Sequence, residues 1–411
     1  MTESLRVVSA PQYRTGVTSG GERLVRPQRY SSKLSLVLPG GGARAAYQVG
    51  VLAALAERLP DLEFPILTGV SAGAINTIYL AAHPGPLGRA VAGLEVAWRR
   101  LTTEQVFRVR PGSLMGAAAR WLVASFLGRR TGPTPARGVL DTRPLREFLE
   151  ATIDVRGIQA NIEAGRLRTA ALTATSINSG RSVTFIQGRG DEPAWEGMQH
   201  AGLRTPLGIE HVMASAAIPI LFPAEPLIGE FFCDGGVGQG APLAPAIRLG
   251  ARAAFVIGLK AHARNARTVI GGQPYPSVAE VSGLLLDTIF QDQLEADADQ
   301  LDRINSLLAA LPAQTPAPLS LRPVDLLLLR PRRDLATLSR GLATSLPRGV
   351  RRIVDSLGGQ REGAAEFLSY LLFEPDYTSQ LAELGYEDVG AQWPEIERFF
   401  ERLERQHGGG G

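Results

Sequence analysis

The sequence predicts an α/β fold: a central, mostly parallel sheet flanked by helices, with a helical C-terminal extension. Three observations lead there. From Lys33 onward, short β-prone apolar runs alternate with segments of helical period, as in chains that wind a parallel sheet. Glycine-rich turns at 40–42 and 69–73 stand between a strand and a helix each time. Past residue 268 the texture becomes almost wholly helical.

Residues 1–32, rich in Gly, Ser, Thr, Arg and Pro, read as a flexible leader. Leu34 to Leu38 is the first strand, and Pro39-Gly40-Gly41-Gly42 stops it. Apolar residues then recur at Ala46, Val49, Leu52, Ala53 and Ala56, a helical spacing. Ile66 to Val70 is a second strand, Ser71-Ala72-Gly73 a tight turn and Ala74 to Ala82 a helix. Residues 84–165 read as a helical, cap-like insertion broken by Pro and Gly at 131–135. Arg168 to Thr175 and Arg181 to Gln187 are strands joined by a turn at Asn178-Ser179-Gly180, and His211 to Ala217 is a short helix ended by Pro219. Phe231 to Cys233 is a short strand running into Asp234-Gly235-Gly236, and Ala253 to Leu259 is one more buried strand. An α/β domain over 33–268 is therefore followed by a mainly helical region over 269–407. In that region Val278 to Leu311 reads as one long helix, Pro312 to Pro318 as a break and Asp325 to Leu329 as a last strand. The terminal glycines 408–411 read as a disordered tail.

Composition removes several function classes. Among 411 residues, 45% are hydrophobic and 20% charged, enough apolar material for a core and the wrong balance for a disordered chain. The single cysteine, Cys233, excludes an intrachain disulfide framework and multi-thiolate zinc sites. The net charge is only +3, and aromatics are 6%, so the basic stripe with stacking rings expected of a nucleic-acid binder is missing. No apolar run near the N-terminus is long enough for a signal peptide, and none anywhere reaches the roughly 18 residues of a membrane span. The expected location is cytoplasmic, with a peripheral membrane contact compatible.

Three short motifs carry chemistry. Gly69-Val70-Ser71-Ala72-Gly73 is a G-x-S-x-G on a strand-to-helix turn, which presents a hydroxyl at a helix N-terminus. Gly40-Gly41-Gly42-Ala43-Arg44 is a glycine run whose free amides make an anion site, suited to a phosphate or to an oxyanion. Ala45 stands where a dinucleotide-binding fingerprint needs glycine, and no Lys-Ser or Lys-Thr pair follows, so the nucleotide reading is weak. Asp234-Gly235-Gly236 holds a carboxylate at a strand end. A serine hydroxyl needs a base. Histidine is the usual one, but His83, His200, His211, His262 and His407 have no supporting motif, although the order Ser71, Asp234, His262 would mimic an α/β-hydrolase triad. Cys233 reads as a small buried residue rather than a nucleophile.

Together, in this order and spacing, Gly40-Gly41-Gly42-Ala43-Arg44, Gly69-Val70-Ser71-Ala72-Gly73 and Asp234-Gly235-Gly236 resemble the patatin-like phospholipase family. The segment Met213 to Pro223 is also similar to that family, and the resemblance covers about residues 33–262. It implies a three-layer α/β/α fold and a lipid acyl hydrolase that works with a Ser–Asp dyad, without metal or other cofactor. Carried over residue by residue, Ser71 is the nucleophile, Asp234 its base, and the amides of Gly41, Gly42 and Ala43 the oxyanion hole shaped by Gly40. Gly69, Ala72 and Gly73 form the elbow around Ser71, and Gly235 and Gly236 the loop that holds Asp234. Arg44 beside the hole is left open between a contact to a lipid head group and plain packing. Many members have glycine where Ala45 stands, which bears on loop packing more than on catalysis.

The implied partner is a phospholipid or another fatty-acyl ester. Residues 89–137 carry nine Arg against Glu95 and Glu104, interleaved with Trp98, Trp121 and Phe126, and read either as a segment lying on an anionic membrane or as a cap packed over the site. Leu321 to Ile353, with eight Arg, reads rather as a solvated face. Two other functions stay open on these residues: an acyltransferase, and a phosphate- or nucleotide-binding module built on the glycine loop.

Overall fold

The computed structural model describes residues 33–109, 138–261, 275–312, 321–359 and 361–408. The expected leader, the apolar stretch 114–127 with Trp121 and Phe126, the proline-rich break after Pro312, His262 and the last glycines lie outside the described residues.

Among the described residues there are twelve strands: β1 (Leu34–Leu38), β2 (Ile66–Val70), β3 (Arg108–Val109), β4 (Leu140–Asp141), β5 (Thr169–Ser176), β6 (Ser182–Gly188), β7 (Trp195–Glu196), β8 (His200–Arg204), β9 (Glu225–Leu227), β10 (Glu230–Asp234), β11 (Ala253–Ile257) and β12 (Asp325–Leu329). Ten of them make one sheet in the order β12-β11-β1-β2-β5-β6-β8-β7, with β10 paired to β5 and to β9. The run β12-β11-β1-β2-β5 is parallel throughout. Every residue of β1, β2 and β11 is buried, which is why these strands read as mostly apolar runs, with Ser35 and Thr68 the polar residues among them, rather than as alternation.

Helices cover the sheet. Helix α1 (Ala46–Arg58) is apolar on nearly all sides, and only such a helix suits a site enclosed all round. It lies against the helix Pro375–Ala391. Gly50 and Gly385 allow that approach, because a Cβ on either would overlap a backbone carbonyl of the facing helix. Helix α2 (Ala72–Ala82) follows β2, two residues earlier than its apolar pattern suggested, since the turn is tighter than the motif alone tells. Helix α3 (Leu87–Arg100) turns Ala90, Val91, Leu94 and Trp98 inward, so this described part of the insertion packs on the core. The region expected to be helical after residue 268 keeps that character but shares the sheet through β12 and the main hydrophobic core through Phe367, Tyr370, Leu381 and Phe399. The single long helix expected over 278–311 is two α-helices, Val278–Asp287 and Gln293–Ala310, joined by a π-helical turn at Thr288–Asp292.

Candidate functional site

Strand β5 explains how residues 163 positions apart in sequence come together. Strand β6 occupies one edge of β5, and two strands share the other edge. β2 runs parallel to β5 and ends with Val70 opposite Thr173. β10 runs antiparallel and ends with Asp234 opposite Ala174. The two strands therefore point their C-terminal ends at each other. Ser71 begins the turn after one, and Asp234 closes the other.

Ser71 sits at φ 55°, ψ −128°, a conformation L-residues rarely adopt, at the N-cap of α2. Neighbours hold it there. Its N–H donates to Ser215 Oγ at 2.9 Å, and Ser215 Oγ donates to the Thr173 carbonyl at 2.6 Å. Gly69 and Gly73 make the turn possible by close approach: a Cβ on Gly73 would overlap the Leu38 carbonyl, and one on Gly69 the Thr77 hydroxyl. The hydroxyl of Ser71 thus stands at the positive end of α2, where developing negative charge is favoured.

Asp234 is wholly buried, with Oδ1 accepting from the Gly236 amide at 2.9 Å. Burial pushes its pKa up to about 7, while the Ser71 hydroxyl and the Gly236 amide pull the other way. Its Oδ2 is buried and without a partner at full hydrogen-bond geometry. Hydroxyl and carboxylate lie near enough for the Ser71 hydroxyl to favour the ionised form of Asp234. Such an arrangement can move a proton from a hydroxyl to a carboxylate near neutral pH.

The glycine loop lies alongside. A Cβ on Gly40 would fall 2.9 Å from the Ser71 Cβ. Gly42–Ala45 forms a 3₁₀ turn with Gly41 at its N-cap, so the amides of Gly41, Gly42 and Ala43 come where no earlier turn supplies acceptors. Gly235 packs on Val70, and Phe290 of the π-helical turn fits against both Gly40 and Gly236. Ser71 is only 2% exposed beneath this cover. A cavity of about 1150 Å³ opens beside the Asp234 end of β10, walled by Val139, Ala217, Ile220, Phe222, Phe231 and Val237 among others.

Arg44 does not join this group. It is buried on the far side of the loop, with Nη1 donating to Asp287 Oδ1 at 3.0 Å and Nε to Ser369 Oγ at 2.7 Å. It also pairs with Glu366 and lies 4.1 Å from the Tyr370 ring centroid. All of these partners belong to the helices from residue 278 onward. Among the described residues no imidazole bonds to Ser71 or Asp234. His211 is buried with Nδ1 accepting from the Gly208 amide, and His83 stacks on Tyr79. Burial raises the Cys233 thiol to about 11, which keeps it protonated. No group of three His, Cys, Asp or Glu among the described residues is placed to hold a metal ion. No described helix is long and apolar enough to cross a membrane.

Sequence reasoning missed three side chains at this site. Ser215 lies inside the segment Met213 to Pro223, yet nothing in a string of small residues marks it as a support for the elbow. Phe290 and Gln291, whose Nε2 donates to the Gly40 carbonyl at 3.1 Å, come from a stretch that reads as ordinary helix, and no local signal distinguishes them.

A family model described as Patatin-like phospholipase matches residues 36–247. Comparison with curated proteins finds no match. Among solved structures, human GIVD cytosolic phospholipase A2 with a methyl γ-linolenyl fluorophosphonate inhibitor aligns at 14% identity and a TM-score of 0.44, covering 91% of this chain and 60% of that one. VipD from Legionella pneumophila aligns at 14% identity and a TM-score of 0.28, covering 86% and 67%. The type III effector ExoU of Pseudomonas aeruginosa aligns at 14% identity and a TM-score of 0.31, covering 90% and 53%.

Proposed function

The chain belongs to the patatin-like phospholipase family, and on that premise we propose that it is a serine lipid acyl hydrolase that cleaves the carboxylic esters of phospholipids or lysophospholipids. The observation that carries the reading is the meeting of two strand ends, which sets a strained, helix-capping serine beside a buried carboxyl whose pKa is raised to about 7.

Ser71 Oγ attacks the ester carbonyl carbon while Asp234 takes the hydroxyl proton. The carbonyl oxygen becomes an oxyanion, held by the Gly41, Gly42 and Ala43 amides. Each such donor is worth roughly 2.7–4 kcal/mol in a well-studied case. As the carbon–oxygen bond to the leaving alcohol breaks, Asp234 returns the proton to that alcohol. A water molecule then gives its proton to Asp234 and attacks the acyl-serine. The second tetrahedral intermediate collapses as Asp234 returns that proton to Ser71 Oγ, which releases the fatty acid and restores both the Ser71 hydroxyl and the Asp234 carboxylate. A carboxylate of ordinary acidity would be a weak base for this task, and burial brings it into range. The apolar cavity beside β10 suits an acyl chain.

The test joins a covalent probe to a substrate panel. A fluorophosphonate is expected to label Ser71, and phospholipids, lysophospholipids, triacylglycerols and short p-nitrophenyl esters are compared as substrates. Ser71→Ala should lose hydrolysis and labelling while melting at the wild-type temperature. Esterase activity surviving in that variant would remove Ser71 from the role.

A further inference from the structure

Two buried glutamines grip consecutive peptide planes of the glycine loop. Gln48 Nε2 donates to the Pro39 carbonyl at 3.0 Å, and Gln291 Nε2 donates to the Gly40 carbonyl at 3.1 Å. A peptide unit is planar, so fixing its C=O fixes the opposed N–H. The Gly40 carbonyl shares its plane with the Gly41 amide, the first of the donors assigned to the oxyanion. Glycine backbone has wide freedom, and without an external grip that N–H would wander.

The two glutamines differ in how they are paid for by the rest of the fold. Gln48 ends a satisfied chain: Asn76 Nδ2 donates to its Oε1 at 2.9 Å, and Trp98 Nε1 donates to Asn76 Oδ1 at 2.8 Å. Gln291 is 1% exposed, and its Oε1 is buried without a partner. An unsatisfied buried acceptor lowers stability, so an apolar residue would serve better if packing were the only task. Gln291 also sits on the π-helical turn Thr288–Asp292, an uncommon distortion that recurs where helices serve functional sites.

We propose that Gln291 is a positioning residue for ester hydrolysis: it aims the Gly41 N–H at the oxyanion by holding the Gly40 carbonyl. The role rests on the acyl-hydrolase reading above. It brings a residue beyond the 36–247 family match into the working of the site. Hydrogen bonding to the carbonyl also polarises the peptide and strengthens its N–H as a donor.

The experiment compares wild type, Gln291→Met and Gln291→Glu on a soluble p-nitrophenyl ester, with a trifluoromethyl ketone as an inhibitor that forms a tetrahedral oxyanion. In Gln291→Met, kcat is expected to fall about 10- to 100-fold with KM within twofold. The inhibition constant for the ketone should rise by the factor by which kcat/KM falls, while the melting temperature stays near that of wild type, because losing the unpartnered Oε1 offsets losing the donor to the Gly40 carbonyl. A residue that only filled space would leave kcat and the ketone's affinity in place in Gln291→Met. Gln291→Glu keeps the shape, loses the donor when ionised and sets a negative charge by the hole, so its kcat should fall further. Wild-type kcat in either folded variant, or a loss of kcat without a matching loss of ketone affinity, overturns the role while leaving the hydrolase reading intact. A wild-type protein that neither hydrolyses esters nor reacts with a fluorophosphonate overturns both.

Discussion

Asp234 bears a charge where the fold would rather have none, and that has consequences for rate and stability alike. The carboxylate is the working form, so kcat/KM should rise with pH through about 7 and level off above it. Stability should move the opposite way. An acid whose folded pKa lies above its unfolded value of 3.8 holds its proton more tightly when folded. Folding is therefore not penalised below pH 4, loses stability as pH rises from 4 to 7, and carries the whole penalty above 7. A difference of that size corresponds to about 4 kcal/mol. Asp234→Asn should thus be inactive yet more stable than wild type at pH 8.5, with the gap closing toward pH 4, as urea unfolding at the two pH values will tell. Ser215→Ala should do the reverse of a silent change. It strips the Ser71 amide of its acceptor, costing about 1–3 kcal/mol, and lets the elbow relax, so kcat falls with the melting temperature. At this scale the sequence was partly legible. Ser71 and Asp234 announce themselves because glycines must crowd around a tight turn and leave a local trace. Ser215 and Gln291 act through space on backbone atoms far away in sequence, and no neighbouring residue records that.

Among the elements, strand-loop-helix alternation up to residue 82 was readable because buried parallel strands leave apolar runs that only turns can interrupt. The π-helical turn at Thr288–Asp292 was not. Apolar spacing continues across it, and one extra residue per turn is smaller than the scatter of any periodicity. That turn nevertheless brings Phe290 over Gly40 and Gly236. Phe290→Ala should uncover Ser71. Fluorophosphonate labelling is expected to speed up, while the loss of a core ring packed on Tyr370 costs about 3–5 kcal/mol in chemical denaturation. Unchanged labelling would mean that access to Ser71 does not pass Phe290.

For the molecule as a whole, the resemblance read from motifs reaches only to about residue 262, while the core does not stop there. Arg44 enters a buried cluster with Asp287, Ser369 and Glu366, and α1 lies face to face with Pro375–Ala391. Removing Asp287 leaves Arg44 paired with Glu366 but takes one carboxylate from the buried cluster and the acceptor from the Tyr370 hydroxyl, at a cost of about 1–3 kcal/mol. Asp287→Ala should be destabilised by that order, with little dependence on added salt, because ions cannot reach the cluster to screen it. Nothing in the local sequence pairs Arg44 with a carboxylate 243 positions away, and an arginine beside a glycine loop looks the same whether it faces ligand or core.

The abutment of β2 and β10 along one edge of β5 also dictates where this protein can tolerate changes of length. A strand advances about 3.3 Å per residue and flips its side chains with every step. Adding a single residue within β10 would carry the carboxylate past the hydroxyl and turn it to the opposite face in one move. The spacing of the reactive pair can only be altered in whole pleats, never by fractions. Insertions and deletions belong instead at the hairpin between β5 and β6, around Ser179, or at the β9–β10 corner, around Gly229, where the added loop projects outward and the pleat count ahead of position 234 stays as it is.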